Sequence, residues 1–407
     1  MRVLLSAIGS RGDVQPLVAL ALELKALGQG VRVCAPPDFR DWIDGLGIPF
    51  TPVGPELSST GKASPSAAPP TPEQRRQMVE ASVAAQFEAV TAAAQRCDVI
   101  VAAGYLVVAA RTVAEQMGIR YVWAGYCPIA LPSPHHAPPV YSMLGDKPAD
   151  GTVDNRTLWA QDTHRYSIFG DPLNSHRAAA GLAPVDDVRR HMFTDKPWLA
   201  ADPTLAPWPE PADPNVVQTG AWILPDERPL SAELEAFLEA GEPPVYFGFG
   251  SIRAPQDLSK NMIQAARALG RRAIVLRGWA DLSLLDDEPD CLSIGEVNQQ
   301  ALFKRVAAAV HHGGSGTTTT ATRAGAPQVV IPQHFDQHYF AQRIRDLGIG
   351  TAHPPVVPTT DSLTAALSAA LQPGVATRAQ SIAAAVRTDG AEVAAQRLMA
   401  ADAQSSF

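Results

Sequence analysis

The chain has 407 residues, 46% of them hydrophobic and 18% charged, with a formal net charge of -8. That length suits two domains of ordinary size, and the balance is that of a packed globular protein. An acidic chain without a basic stripe gains nothing from a phosphate backbone, which argues against nucleic acid as a partner.

Residues 2–8 read as a strand, followed by a glycine-containing turn and by a helix over residues 17–27, where apolar residues recur at helical spacing. Gly28 and Gly30 end that helix and residues 31–35 form the next strand, a strand–helix–strand unit of parallel sheet. The alternation recurs as a helix over 80–94, a strand over 99–103, a helix over 109–118 and a strand over 121–125. Residues 55–72 and 131–154, rich in Pro with Ser, Ala, Gly or His, read as long surface loops of the kind that serve a substrate or are simply disordered. Around residues 203–214 five prolines give a linker composition. Beyond it strands are expected at 244–249, 272–277, 292–294, 307–311 and 328–332, with helices at 258–269, 299–306 and 317–324. Residues 362–403 are Ala-rich and helical, broken at Pro373-Gly374 and at Gly390. Two α/β halves joined by a proline-rich linker are the expected organisation.

The sharpest feature is Val310-His-His-Gly-Gly-Ser-Gly-Thr317, leading from a strand into a helix. Gly313, Gly314 and Gly316 allow close backbone approach to a ligand, and the first N–H groups of the helix lack intrahelical partners. Hydroxyls of Ser315, Thr317 and Thr318 add donors, and His312 stands where it can donate to a phosphate oxygen. The alternative is a plain glycine-rich turn with a core histidine. No Walker loop is present, since Glu56-Leu-Ser-Ser-Thr-Gly-Lys-Ala63 lacks the first glycine and the final hydroxyl residue. Gly9-Ser-Arg-Gly-Asp13 lacks the third glycine of a dinucleotide fingerprint.

Asp336-Gln337 follows a strand, the end of a parallel sheet where ligands bind. A carboxylate beside a carboxamide suits sugar hydroxyls, and an N-cap role for Asp336 stands beside that reading. Ser10-Arg-Gly-Asp13 also follows a strand and opens a helix. Arg11 offers charge for a phosphate. Asp13 offers either a general base for an acceptor hydroxyl or an N-cap, with Pro16 placed in the first turn.

Four scattered cysteines (Cys34, Cys97, Cys127 and Cys291) make no CxxC pair and no Cys/His cluster, so a reducing compartment is expected. The apolar start stops at Gly9 without a cleavage site, and the longest apolar run, 99–110, is too short to span a bilayer. A cytoplasmic protein with no membrane partner is expected. No two aspartates sit at i and i+2, and there is no HExxH or GxSxG, so no metal and no cofactor is expected.

Taken together, Gly9-Ser-Arg-Gly-Asp-Val-Gln-Pro-Leu17, Val217-Gln-Thr-Gly-Ala-Trp-Ile-Leu-Pro-Asp226, Gly248-Phe-Gly-Ser251, His311-His-Gly-Gly-Ser-Gly-Thr317 and Asp336-Gln337 resemble the glycopeptide-antibiotic glycosyltransferases of actinobacteria, the vancomycin group. The resemblance implies an α/β protein of GT-B fold, two Rossmann-like doubly wound parallel-sheet domains facing across a cleft. It places an acceptor-binding domain at 1–204, a linker at 205–222, a nucleotide-sugar domain at 223–385 and a helix crossing back at 386–407. By the same resemblance, His312, Gly313 and the amides of Gly314, Ser315, Gly316 and Thr317 hold the diphosphate. Asp336 and Gln337 grip the donor sugar. Ser10, Arg11 and Ser231 reach the phosphates across the cleft, and Gly250 and Ser251 line the nucleotide site. Arg277, Trp279 and the Val297 backbone are assigned to the base. Relatives in the wider family carry a Trp there, whereas this chain has Glu296-Val297. Asp13 is the implied general base of an inverting, metal-independent transfer.

The implied partners are a nucleotide-sugar donor, UDP-glucose first and a dTDP-deoxysugar second, and a phenolic hydroxyl of a glycopeptide aglycone. A non-catalytic nucleotide-sugar-binding protein and a nucleotide-sugar epimerase are the competing readings.

Overall fold

The computed structural model describes residues 1–57, 71–142, 145–209, 215–250, 258–278, 282–354 and 357–405. The first seven strands are β1 (Arg2–Ala7), β2 (Gly30–Ala35), β3 (Phe50–Pro52), β4 (Val99–Ala103), β5 (Arg120–Gly125), β6 (Trp198–Leu199) and β7 (Val217–Gln218). They form one parallel sheet in the order β3-β2-β1-β4-β5-β6-β7. A second parallel sheet contains β8 (Val245–Gly248), β9 (Ala273–Leu276), β10 (Cys291–Ile294), β11 (Ala308–His311), β12 (Gln328–Val330) and β13 (Gly350–Ala352). Its order is β10-β9-β8-β11-β12-β13.

Helices cover both faces. On the first sheet lie α1 (Arg11–Ala26), α2 (Arg40–Gly45), α3 (Pro72–Ala93), α4 (Ala110–Met117), α5 (Asn155–Arg165), α6 (Gly170–Ala179) and α7 (Val188–Phe193). The second half carries α8 (Ala232–Glu239), α9 (Leu258–Ala268), α10 (Gln299–Leu302), α11 (Ser315–Ala324), α12 (Gln337–Asp346), α13 (Thr360–Ala370), α14 (Pro373–Ala383) and α15 (Gly390–Ser405). Strand β1 shows why. Val3, Leu5 and Ala7 pack with Leu17, Leu20 and Leu24 of α1, while Leu4 packs with Val83, Phe87 and Val90 of α3. A strand buried on both faces is mostly apolar, with Ser6 the buried polar residue of β1, and each such Leu or Val contributes about 1.5–3 kcal/mol of burial.

In each sheet the connections run to opposite sides of one strand pair, β1/β4 and β8/β11. Such a reversal opens a crevice beyond the carboxyl ends of the strands. The two crevices face each other. Beneath them Cys127, Ile129, Leu199 and Leu205 of the first half share an apolar cluster with Val330, Phe340, Ala341 and Ile344 of the second. The last helix returns to the first half. Ala391, Ala394, Ala395 and Leu398 join the cluster around α1, and Arg120 Nη2 donates to the Leu398 carbonyl at 3.2 Å.

Some expectations need correction. Helix α1 starts at Arg11, capped by Ser10, so Pro16 lies inside the helix beyond its first turn and not at its start. Helix α11 starts at Ser315. The expected helix at 299–306 ends at Leu302 and continues as a 3-10 turn over Phe303–Arg305. Within the segment read as linker, Val217–Gln218 pairs with Trp198–Leu199 and extends the first sheet. Two-residue strands are too short to show a period. Of the two expected loops, residues 58–70 and 143–144 lie outside the described residues, as do 210–214 of the linker.

Candidate active site

The first half supplies a carboxylate. Ser10 Oγ accepts from the Gly12 N–H at 3.3 Å, and the Ser10 N–H donates to Asp13 Oδ2 at 2.8 Å, the reciprocal arrangement of a capping box. Asp13 is therefore the third residue of α1 and the partner of the cap, with Ser10 as the cap itself. The carboxylate fits a slot between the ends of β1 and β4. A Cβ on Gly9 would overlap Oδ2, and one on Gly104 (φ +92°) would stand 3.3 Å from Oδ1. Burial raises the Asp13 carboxyl to about 6, against the downward pull of the Ser10 hydrogen bonds. A base poised near neutrality is matched to taking a hydroxyl proton.

The second half supplies a cradle of amides. The Gly313 N–H donates to His311 Nδ1 at 3.0 Å, which assigns the proton to Nε2, bonded to Gln328 Oε1 at 2.9 Å. Gln328 in turn donates to Thr322 Oγ1 at 3.0 Å. His311 thus pins the turn from β11 into α11 and touches no ligand space. Gly313 has φ +90° and a Cβ there would lie 2.6 Å from Val330 Cγ1, so only glycine fits. Gly314 is the N-cap of α11 and contributes no side chain. Among the described residues the N–H groups of Ser315, Gly316 and Thr317 have no partner, at the positive end of the helix where an anion is favoured.

His312 turns its Nε2 onto this loop, 2.5 Å from where a Cβ on Gly314 would stand. Burial, and then the neighbouring His311, lower its pKa to about 3. In the neutral form this favours, one of its two ring nitrogens carries a proton and the other accepts. The hydroxyls are less available than expected. Ser315 Oγ donates to the Tyr126 carbonyl at 3.1 Å across the cleft, and Thr318 Oγ1 donates to the Gly314 carbonyl at 2.9 Å. Among the described residues only the Thr317 hydroxyl of the three has no such bond.

Asp336 precedes α12 at its N-cap position but makes no capping bond, so its carboxylate stays available. Burial, and then the Asp13 charge, raise it to about 7, which places the two carboxylates within electrostatic reach. Gln337 Oε1 accepts from the N–H groups of Gln333 at 2.8 Å and His334 at 3.1 Å. The oxygen braces its own loop, and Nε2 makes no hydrogen bond among the described residues. Between them in the turn, Phe335 has φ +53°, a left-handed conformation that costs a bulky residue on the order of 1–2 kcal/mol.

The rim collects most of the remaining expected residues. Arg11 Nη1 meets Glu296 Oε1 at 2.8 Å across the cleft, its Nε donates to Gln15 Oε1 at 2.9 Å, and its guanidinium lies over the Trp42 ring at 4.6 Å. Arg228 Nη1 meets the same Glu296 oxygen at 3.1 Å. Asn298 Nδ2 donates to the carbonyls of Asp226 and Arg228, both at 2.8 Å, which lays the chain leading to Ser231 beside Val297. Ser231 Oγ accepts from the Leu234 N–H at 3.2 Å, capping α8. Arg277 is exposed, with Nη2 3.1 Å from where a Cβ on Gly295 would stand. Gly250 backs onto His312, and a Cβ on Gly278 would lie 2.5 Å from the Gly250 carbonyl. Ser251 and Trp279 lie outside the described residues. Among the described residues no group of three His, Cys, Asp or Glu is arranged to hold a metal ion, and no helix is long and apolar enough to cross a membrane.

Sequence reasoning missed Tyr126. Its hydroxyl donates to the Asp13 backbone carbonyl at 2.9 Å and its own carbonyl accepts Ser315 Oγ, so one residue joins the first turn of α1, which carries Asp13, to the start of α11. Its only signal was its place at the end of a parallel strand.

Residues 3–130 match the glycosyltransferase family 28 N-terminal domain, and residues 261–399 match the C-terminal domain of the erythromycin biosynthesis protein CIII-like family. Over 98% of both chains the protein is 54% identical to glycosyltransferase GtfE of Amycolatopsis orientalis. It is 52% identical to the vancomycin aglycone glucosyltransferase of the same organism, over 98% of this chain and 97% of that one. It is 47% identical to the dTDP-epi-vancosaminyltransferase of that organism, over 94% of this chain and 93% of that one. Among solved structures, the glycotransferase of kitacinnamycin superposes with a TM-score of 0.74 at 19% identity, over 98% of both chains. That likeness concerns the fold, two Rossmann-like domains in the GT-B arrangement.

Proposed function

The chain belongs to the glycopeptide-antibiotic glycosyltransferases of the vancomycin group, and from that premise we propose an inverting transfer of a hexose, glucose first, onto a phenolic hydroxyl of a glycopeptide aglycone. The observation that carries this reading is the opposition of Asp13 to the amide cradle of α11 across one cleft, with Tyr126 bonded to both sides.

In this reading the donor diphosphate lies on the N–H groups of Ser315, Gly316 and Thr317, with His312 donating from the side. Those donors are fixed before the reaction, so they take up the charge that develops as the glycosidic bond breaks. Asp336 and Gln337 Nε2 hold sugar hydroxyls and set the ring so that its anomeric carbon faces the first half. Asp13 accepts the proton of the acceptor hydroxyl as the oxygen attacks from the face opposite the diphosphate. Inversion follows from that geometry. Ser10, Arg11 and Ser231 serve the phosphates from the rim, and Arg277 and the Val297 backbone serve the base. The absence of an aspartate pair at i, i+2 supports a transfer that needs no metal clamp. Residues 1–204 are the acceptor side in this scheme and 223–385 the donor side.

A dTDP-deoxysugar is the second reading, supported by the likeness to a dTDP-epi-vancosaminyltransferase. The test is a panel of UDP-glucose, dTDP-glucose and a dTDP-aminodeoxysugar, each incubated with the aglycone and with its monoglucoside, with and without EDTA. Mass spectrometry identifies the product and NMR its anomeric configuration. A β-glucosyl aglycone formed in EDTA is the expected result. Product only from the deoxysugar, or a retained configuration, overturns the first reading.

A further inference from the structure

The turn that carries Asp336 is not held by its own half alone. Phe335, immediately before it, has φ +53° and forms an isolated antiparallel bridge with Val140 of the other half. The Phe335 N–H donates to the Val140 carbonyl at 2.6 Å, and the Val140 N–H returns a bond at 3.4 Å. Two residues on, Ser142 Oγ donates to the Gln333 carbonyl at 2.6 Å. The Phe335 ring stacks on Tyr105, with centroids 6.2 Å apart and planes at 11°, and meets Tyr141 edge-on at 5.6 Å. Tyr105 follows Gly104, the glycine against which the Asp13 carboxylate rests.

We propose that Phe335 is a positioning residue, whose left-handed turn, clasped by Val140 and Ser142 from the acceptor side, aims the Asp336 carboxylate into the donor-sugar site. A left-handed bulky residue persists only where its surroundings over-determine it, and here part of that support, from Val140, Ser142 and Tyr105, comes from the opposite domain. The clasp is therefore made only when the loop over 131–142 is seated, and seating that loop completes the grip on the sugar. This rests on the reading that Asp336 contacts the donor sugar.

The test compares UDP-glucose, as the intact donor, with UDP, as the bare nucleoside diphosphate, binding each by calorimetry to the parent, Phe335→Ala, Ser142→Ala, Asp336→Asn and the Phe335→Ala/Asp336→Asn pair. Phe335→Ala is expected to leave the nucleoside diphosphate within about twofold while weakening the intact donor about tenfold. Ser142→Ala shifts the donor the same way by about threefold, which keeps the test open if Phe335→Ala does not fold. On the Asp336→Asn background the Phe335 substitution adds less than about twofold, because the two act through one contact. Equal losses for both ligands, effects that add fully to those of Asp336→Asn, or a parent-like Phe335→Ala overturn the positioning role. An Asp336→Asn variant that binds the donor like the parent sinks the sugar-contact reading itself, and the positioning role with it.

Discussion

Asp13 Oδ2 fills the volume that a side chain at Gly9 would need. Gly9→Ala is therefore a test of placement that leaves the carboxylate in being. The added methyl pushes it out of its slot, and a displacement of about 1 Å is enough to lower kcat roughly 10²-fold. Donor affinity, measured by calorimetry, should hold, because the amide cradle sits on the other domain. Unchanged kcat would mean that the position of this carboxylate does not matter.

Asp13→Asn keeps the shape and the Ser10 contact but abolishes proton acceptance. Transfer should fall by about 10²–10⁴ with donor binding preserved. Steady-state rates on the variant, paired with nucleotide-sugar titrations, check both halves of the statement.

The same group sets the acid limb. With its carboxyl raised to about 6, Asp13 is lost as a base when pH drops below that value, so log kcat/KM should rise with unit slope to about pH 6 and then level. A limb near pH 4 would contradict the burial argument.

Stability moves the other way. Asp13 and Asp336 hold protons in the folded chain up to about 6 and 7, whereas the unfolded chain releases them near 4. The native state thus binds more protons between those values, and stability declines as pH rises through them. Asp336→Asn removes a charged form that is poorly solvated. It should raise Tm most above pH 7, with the gain shrinking toward pH 4. A thermal-melt series over that range measures the slope, and a Tm loss at pH 8 would refute it.

Glu296 holds Arg11 across the cleft and Arg228 on its own side, all three substantially exposed. Exposed pairs contribute about 0–1 kcal/mol, so Glu296→Gln should leave Tm nearly unchanged. Freeing Arg11 for a phosphate should tighten nucleotide-sugar binding by up to about fivefold at low salt, with the gain fading at high salt. Weaker donor binding in this variant would assign Glu296 to closing the cleft.

The two sheets were legible because buried parallel strands such as β1 and β11 are short, mostly apolar runs that lead into glycine turns. The cradle was legible for the same local reason, since a strand, three glycines and a helix start adjoin in the chain. What escaped were relationships between distant segments. Nothing near Glu296 announces Arg11 as its partner. The left-handed turn at Phe335 is stabilised by Val140 from another domain, and no local propensity selects it. Tyr126 sits just past an ordinary strand, and of its two bonds the one from Ser315 exists only after both halves have folded. The hydroxyls of Ser315 and Thr318 read as phosphate donors from residue type alone, whereas both protons go to nearby carbonyls.

The chain passes between its halves twice, and the passages touch where Gly220 lies against Gly390, so closely that a Cβ on Gly390 would overlap the Gly220 carbonyl. Asp202 fastens the same crossing, its Oδ2 accepting from the Arg387 N–H at 2.8 Å. The two tethers therefore share one junction, and it is so tight that neither backbone leaves room there for a side chain on Gly390.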